Sequence, residues 1–67
     1  MFSSHTGLLV IRAWLEEGSE QPLRAHIRLT ADVSRGFERG MTLAEVDAAC
    51  QTVRAWLEEM LAGAERN

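Results

Sequence analysis

The sequence predicts an α+β domain, a two- or three-stranded antiparallel sheet packed on one C-terminal helix. Three observations carry this. Residues 23–33 alternate apolar and polar side chains at period two, the run Leu8-Leu9-Val10-Ile11 offers a partner strand upstream, and the last third of the chain follows helical spacing. Two packed layers around one core are the minimum architecture that buries all three apolar faces.

Residues 1–7 offer little to bury and are expected to be flexible, as chain ends commonly are. Leu8 to Glu17 is locally ambiguous. Its hexapeptide Arg12-Ala13-Trp14-Leu15-Glu16-Glu17 recurs as Arg54-Ala55-Trp56-Leu57-Glu58-Glu59 in the helical region, so propensity alone does not settle it. The apolar run with two β-branched residues favours a strand, with Leu9, Ile11, Ala13 and Leu15 on one face. From Leu23 to Val33 the odd positions are apolar, while Arg24, His26, Arg28, Thr30 and Asp32 point the other way. A strand needs a ladder partner for its backbone groups. Gly18-Ser19-Glu20-Gln21-Pro22 has turn chemistry, so residues 8–33 read as a hairpin. A plausible register sets Leu15 opposite Ala25 and Ile11 opposite Leu29; a shift of two residues would leave the faces intact. The glycine-flanked stretch 36–41, carrying Phe37, is read as a turn or a short third strand.

A helix is expected over 43–62. Thr42-Leu43-Ala44-Glu45 fits a capping box, and Met41 with Val46 fits the hydrophobic staple beside it. Leu43, Val46, Cys50, Val53, Leu57, Met60 and Leu61 form an apolar stripe at steps of three and four, with Ala49 and Trp56 at its margin. Gly63 suits a C-terminal cap, followed by a polar tail over 64–67.

Size constrains function. A single domain of 67 residues buries only about 60% of its unfolded surface. Chains this small commonly add disulfides, a metal or a partner subunit. Cys50 is the only cysteine, so no intrachain disulfide forms, and its place on the stripe suits a small buried hydrophobe. His5, His26 and Cys50 show no metal-ligand spacing, and no cofactor motif occurs. A partner subunit is the remaining source of burial. The first residues lack a basic region and a long apolar run, and no stretch approaches the ~20 apolar residues of a membrane span. A soluble cytoplasmic protein with no membrane contact is therefore expected.

The outer sheet face is where the expected fold leaves something over. Leu8, Val10 and Trp14 point away from the helix with Arg12 and Glu16, and the second strand adds Arg24, His26, Arg28 and Thr30. Such a face can be merely solvated. It can also serve association, as a homodimer or on a larger protein, with Leu8, Val10 and Trp14 as the interface and Trp56 at its margin. Or it can meet an anionic partner such as RNA, with Arg12, Arg24, His26 and Arg28 on phosphates and Trp14 stacked on a base. The small core favours association, and the net charge of −3 does not favour nucleic acid. Trp56 is otherwise a core residue.

Catalysis finds little support. Neither Glu16/Glu17 nor Glu58/Glu59 makes a close carboxylate dyad, because neighbouring side chains diverge on strands and helices alike. His26 lacks a nucleophile or orienting carboxylate at fixed spacing, and Gly36 and Gly40 form no phosphate loop. A non-enzymatic interaction module is the expectation.

A hairpin followed by Gly40-Met41-Thr42-Leu43-Ala44-Glu45, with Val46, Trp56 and Leu57 on the ensuing helix, resembles the HicB-like antitoxin family. The resemblance covers the last third of the chain and the sheet in outline. It implies a β-β-β-α unit, a partial RNase-H-like or dsRBD-like fold, that oligomerises and masks a toxin. The family's Pro- and Gly-containing stretch before the third strand has no counterpart here. The chain as a whole is also similar to small proteins from high-GC actinobacteria, which implies no activity.

Overall fold

A computed structural model describes residues 6–65. Three strands, β1 (Leu8–Leu15), β2 (Leu23–Thr30) and β3 (Arg39–Leu43), form an antiparallel sheet in the order β1-β2-β3, and one helix, α1 (Val46–Glu65), follows. The expected α+β architecture is thus present with its third strand. Flexibility at 1–5 and the end of the tail at 66–67 lie outside the described residues.

The hairpin forms because each strand alternates, and its register sits two residues from the one read above. Leu15 pairs with Leu23, Ala13 with Ala25, Ile11 with Ile27 and Leu9 with Leu29. A two-residue step preserves the faces, so Ala25, Ile27 and Leu29 still point at the helix and are the buried apolar residues among those described. β2 stops at Thr30, short of the expected Val33. The buried Thr30 hydroxyl accepts from the Asp32 N–H (3.1 Å) and lies 2.9 Å from the Asp32 carbonyl and 3.1 Å from the Glu38 carboxylate. Asp32 then caps a short 3₁₀ turn, Val33–Arg35, through the Ser34 N–H. Gly36 leaves that turn at φ 74°, a conformation that favours glycine.

The third strand lies at Arg39–Leu43 instead of 36–41, and this relocates the start of the helix. Thr42 was expected to cap the helix and Leu43 to open it. Instead Thr42 pairs with His26 and Leu43 with Ala25 in the β2–β3 ladder, and the Thr42 hydroxyl lies 3.0 Å from His26 Nδ1. The capping box does not form, because the ladder claims its first residue. The first helical turn closes from the Ala49 N–H to the Glu45 carbonyl. At the other end Gly63 lies inside α1 and does not terminate it.

α1 lies chiefly on β2. Its covered side holds Ala48, Ala49, Thr52, Val53, Trp56 and Met60, all half-buried. The Trp56 indole N–H donates to the Thr30 carbonyl at 3.0 Å, and Arg39 pairs with Glu59 at 2.9 Å, tying the helix to β2 and β3. The expected stripe is therefore turned. Val46, Cys50, Leu57 and Leu61 are exposed, and the reading of Cys50 as a buried hydrophobe is corrected. The contact side is centred on Trp56, which the spacing had put at the margin.

Gly7 marks a close approach between the start of β1 and the helix. A Cβ there would lie 2.6 Å from the Met60 sulfur and 3.0 Å from the Thr30 carbonyl oxygen. Met60 can swing aside, but that carbonyl is backbone and already accepts from Trp56. Gly7→Ala is expected to lower stability by about 1 kcal/mol, read as a fall in the thermal midpoint at unchanged helix content.

Candidate functional site

Two surfaces of the sheet carry residues with something left to do. The first is its outer face. Leu8, Val10, Arg12 and Trp14 are exposed there, as their parity in β1 requires. Across β2 the ladder sets Val10 beside Arg28, Arg12 beside His26, and Trp14 beside Arg24. Val10, Arg12, His26 and Arg28 line a hollow of about 350 Å³.

The four expected anion-binding residues do not act as one. Arg24 is committed to its own loop, donating through Nη1 to the Gln21 carbonyl at 2.6 Å and the Leu23 carbonyl at 2.8 Å. Arg12 and Arg28 rest on aromatic rings, Arg12 at 5.2 Å from the Trp14 centroid and Arg28 at 4.4 Å from that of Phe37. His26 is half-buried between them and shares a hydrogen bond with Thr42. Arg35, Arg39 and Arg54 each pair with a glutamate, whereas Arg12, Arg24 and Arg28 have no carboxylate partner among the described residues. The Trp14 indole N–H donates to Glu16 at 3.1 Å. The ring contact of Phe37 and the Thr42–His26 pair were invisible beforehand, because both depend on where the third strand lies.

The second surface is on the helix side, along β1, and sequence reasoning missed it. Ile11 and Leu15 face the helix layer yet remain 47% and 70% exposed. The helix does not reach over them. Its own apolar residues on this side are uncovered too, with Val46 63%, Leu57 50% and Leu61 64% exposed.

These two sets adjoin. Taking about 100° per residue from Trp56, Thr52 and Glu59 fall to one side of α1, and Met60, Val53, Val46, Leu57, Cys50 and Leu61 to the other. Thr52 lies 3.8 Å from the Met41 sulfur and Glu59 pairs with Arg39, so the first side looks toward β3. Met60 meets the chain at Gly7, so the other side looks toward β1. The exposed inner face of β1 is thus the floor, and the exposed flank of α1 the wall, of one apolar step. Along that wall Cys50, Val53, Leu57 and Leu61 line a shallow groove rimmed by Asp47, Gln51, Arg54 and Glu58.

Among the described residues only β2 pairs with β1, so the step ends at an open sheet edge. The Glu16 N–H donates to the Pro22 carbonyl at 2.7 Å, which makes Glu16 and Pro22 a hydrogen-bonded pair. Bonded pairs alternate along an antiparallel ladder. The Leu29 carbonyl, which accepts from the Glu38 N–H on the β3 side, agrees with this phase. Even-numbered residues of β1 therefore bond to β2, and Leu9, Ile11, Ala13 and Leu15 turn their N–H and C=O groups to the open edge.

Trp56, expected at the margin of an interface, lies between helix and sheet as a packing residue. No group of histidine, cysteine and carboxylate side chains suited to a metal occurs among the described residues. None of the helices described is long and apolar enough to cross a membrane. No family model matches the chain, and neither a curated protein nor a solved structure matches it.

Proposed function

We propose that the chain is a non-catalytic interaction module whose working surface is the β1 side of the molecule: the open edge, the floor of Ile11 and Leu15, and the wall of Val46, Val53, Leu57 and Leu61. One observation carries this reading. Apolar residues are left exposed both on the helix side of β1 and on the flank of α1 that turns toward β1. The fully buried apolar set among the described residues is Ala25, Ile27 and Leu29 alone. A small domain with so little core gains from any partner that completes it. Eight-residue β1 carries one charge, the outward-facing Arg12, and otherwise has no proline, no lysine and no inward-pointing charge to protect its edge. Such a module acts by holding polypeptides together. An antitoxin-like role, in which a dimer of such units masks a toxin, is one use of such a surface.

A second reading has its own observation. Among the described residues, the arginines without a carboxylate partner are those of the outer sheet face, and two of them rest on aromatic rings. Such a face can hold single-stranded nucleic acid, with guanidinium groups on phosphates and Trp14 or Phe37 available for stacking. Fluorescence anisotropy with labelled single-stranded oligonucleotides tests it. Affinity should fall steeply as salt is raised, and an Arg12→Gln, Arg28→Gln double variant should lose it. No binding at low salt removes this reading and leaves the first untouched.

For the first reading, Leu57→Glu and Ile11→Glu are the informative changes, because both residues are half-exposed in the single chain. Each should keep its helical circular dichroism yet lose about 2 kcal/mol of stability where the flank is covered. A wild-type chain that melts cooperatively as a monomer, with a midpoint indifferent to both changes, would contradict it. A monomer that melts without cooperativity and binds an apolar dye would keep it, as a domain awaiting its cover.

A further inference from the structure

We infer that the cover is a second copy of this chain, joined β1 to β1 in an antiparallel ladder whose twofold axis passes beside Ile11. The inference rests on the reading of the β1 side as an association surface and names its occupant. Antiparallel pairing about an axis perpendicular to the sheet keeps both helices on the same face. It turns two three-stranded sheets into one of six strands with the two β1 strands at its centre. The uncovered floors then merge between the two helices, and the two apolar walls face each other across them. One operation satisfies edge, floor and wall together, which is the self-complementarity an isologous interface requires.

The phase of the existing ladder selects the register. Leu9, Ile11, Ala13 and Leu15 present their backbone groups to the edge, so the new ladder must bond odd-numbered residues to odd-numbered residues. With the axis at Ile11, the two Ile11 residues bond to each other and Leu9 bonds to the partner's Ala13, giving about six hydrogen bonds. The helix-side pairs are then all apolar. On the outer face Val10 meets the partner's Arg12 and Leu8 meets the partner's Trp14, so no like charges stand opposite. An axis at Arg12 would set that guanidinium against its own copy, which is unfavourable. An axis at Ala13 keeps the bonding phase but shortens the ladder, because β1 ends at Leu15.

Area agrees. Taking the exposed fractions of Ile11, Leu15, Val46, Leu57 and Leu61 with side-chain areas of roughly 150–180 Å² each gives on the order of 500 Å² of apolar surface per copy. Two copies reach the roughly 1,000 Å² that marks a specific interface, before the backbone of the edge is counted.

The test is site-directed cross-linking of the full chain in a Cys50→Ser background, alongside sedimentation of the wild type. An Ile11→Cys variant should oxidise to a covalent dimer, because a bonded antiparallel pair has its Cα atoms about 5.5 Å apart, within disulfide reach. An Ala13→Cys variant should not, since its two copies would lie about 13 Å apart along the strands. A mixture of Leu9→Cys and Ala13→Cys chains should cross-link to each other. Wild-type chain should sediment as a dimer, and Leu57→Glu should weaken it by at least tenfold. A dimer in which Ile11→Cys fails to cross-link overturns the ladder and leaves the association reading standing. Cross-linking of Ala13→Cys alone overturns the register. A wild-type monomer at the highest concentrations overturns the second copy as occupant, and its melting behaviour then decides the broader reading.

Discussion

One helix cannot cover three strands. A helix with its side chains is about 10 Å across, and strands lie about 4.8 Å apart, so α1 spans roughly two of them. Which two is set by connectivity. α1 follows β3 after a two-residue link, and β3 is the outer strand opposite β1. The helix is therefore delivered to the β3 side, settles over β2, and is held there by Trp56 on the Thr30 carbonyl and Glu59 on Arg39. β1 is left with its inner face open. The burial of Ile27 and Leu29, the exposure of Ile11 and Leu15, and the uncovered flank of the helix all follow from that mismatch of width.

The sheet was largely legible because alternation is a local signal. Leu23 to Leu29 announce a face, and the face survives a two-residue change of register. The start of the helix was misread for the opposite reason. Thr42 and Glu45 have the right spacing for a cap, but a capping box contributes only about 1 kcal/mol. Two further residues of ladder, with the Thr42 hydroxyl against His26, outweigh it. That competition involves a residue sixteen positions away, and no local window contains it.

The helix stripe was legible as a stripe and not as a contact. Val46, Val53, Leu57 and Leu61 are correctly apolar and on one side, yet most of that side is exposed. The sequence records which residues gain by leaving water. The single chain shows which of them its own sheet can cover. The difference between the two is the β1 flank, and it could have been anticipated only by asking how many strands one helix can roof. Cys50 belongs to this difference. Its neighbours on the wall made it look buried, and in the single chain it is open.

Charge decides between the two surfaces through which copies could meet. Packing outer face against outer face through Leu8, Val10 and Trp14 would crowd Arg12, Arg24 and Arg28 of both copies into one interface, where none has a carboxylate partner among the described residues and Glu16 beside Trp14 is the nearby carboxylate. Desolvating unpaired guanidinium groups against one another costs several kcal/mol, more than three half-exposed apolar residues return. Edge pairing avoids this. It leaves the arginines in water on the outer face and buries the side of the molecule that carries apolar residues rimmed by both signs, Asp47 and Glu58 beside Arg54. The two helices then run antiparallel across the axis, so their dipoles oppose each other favourably. Two copies bring together a net charge of −3 each, and salt screens that repulsion beyond about 8 Å at physiological ionic strength. The same arrangement sets two arginine-bearing faces side by side, so an anionic ligand and a second copy would not compete for the same ground.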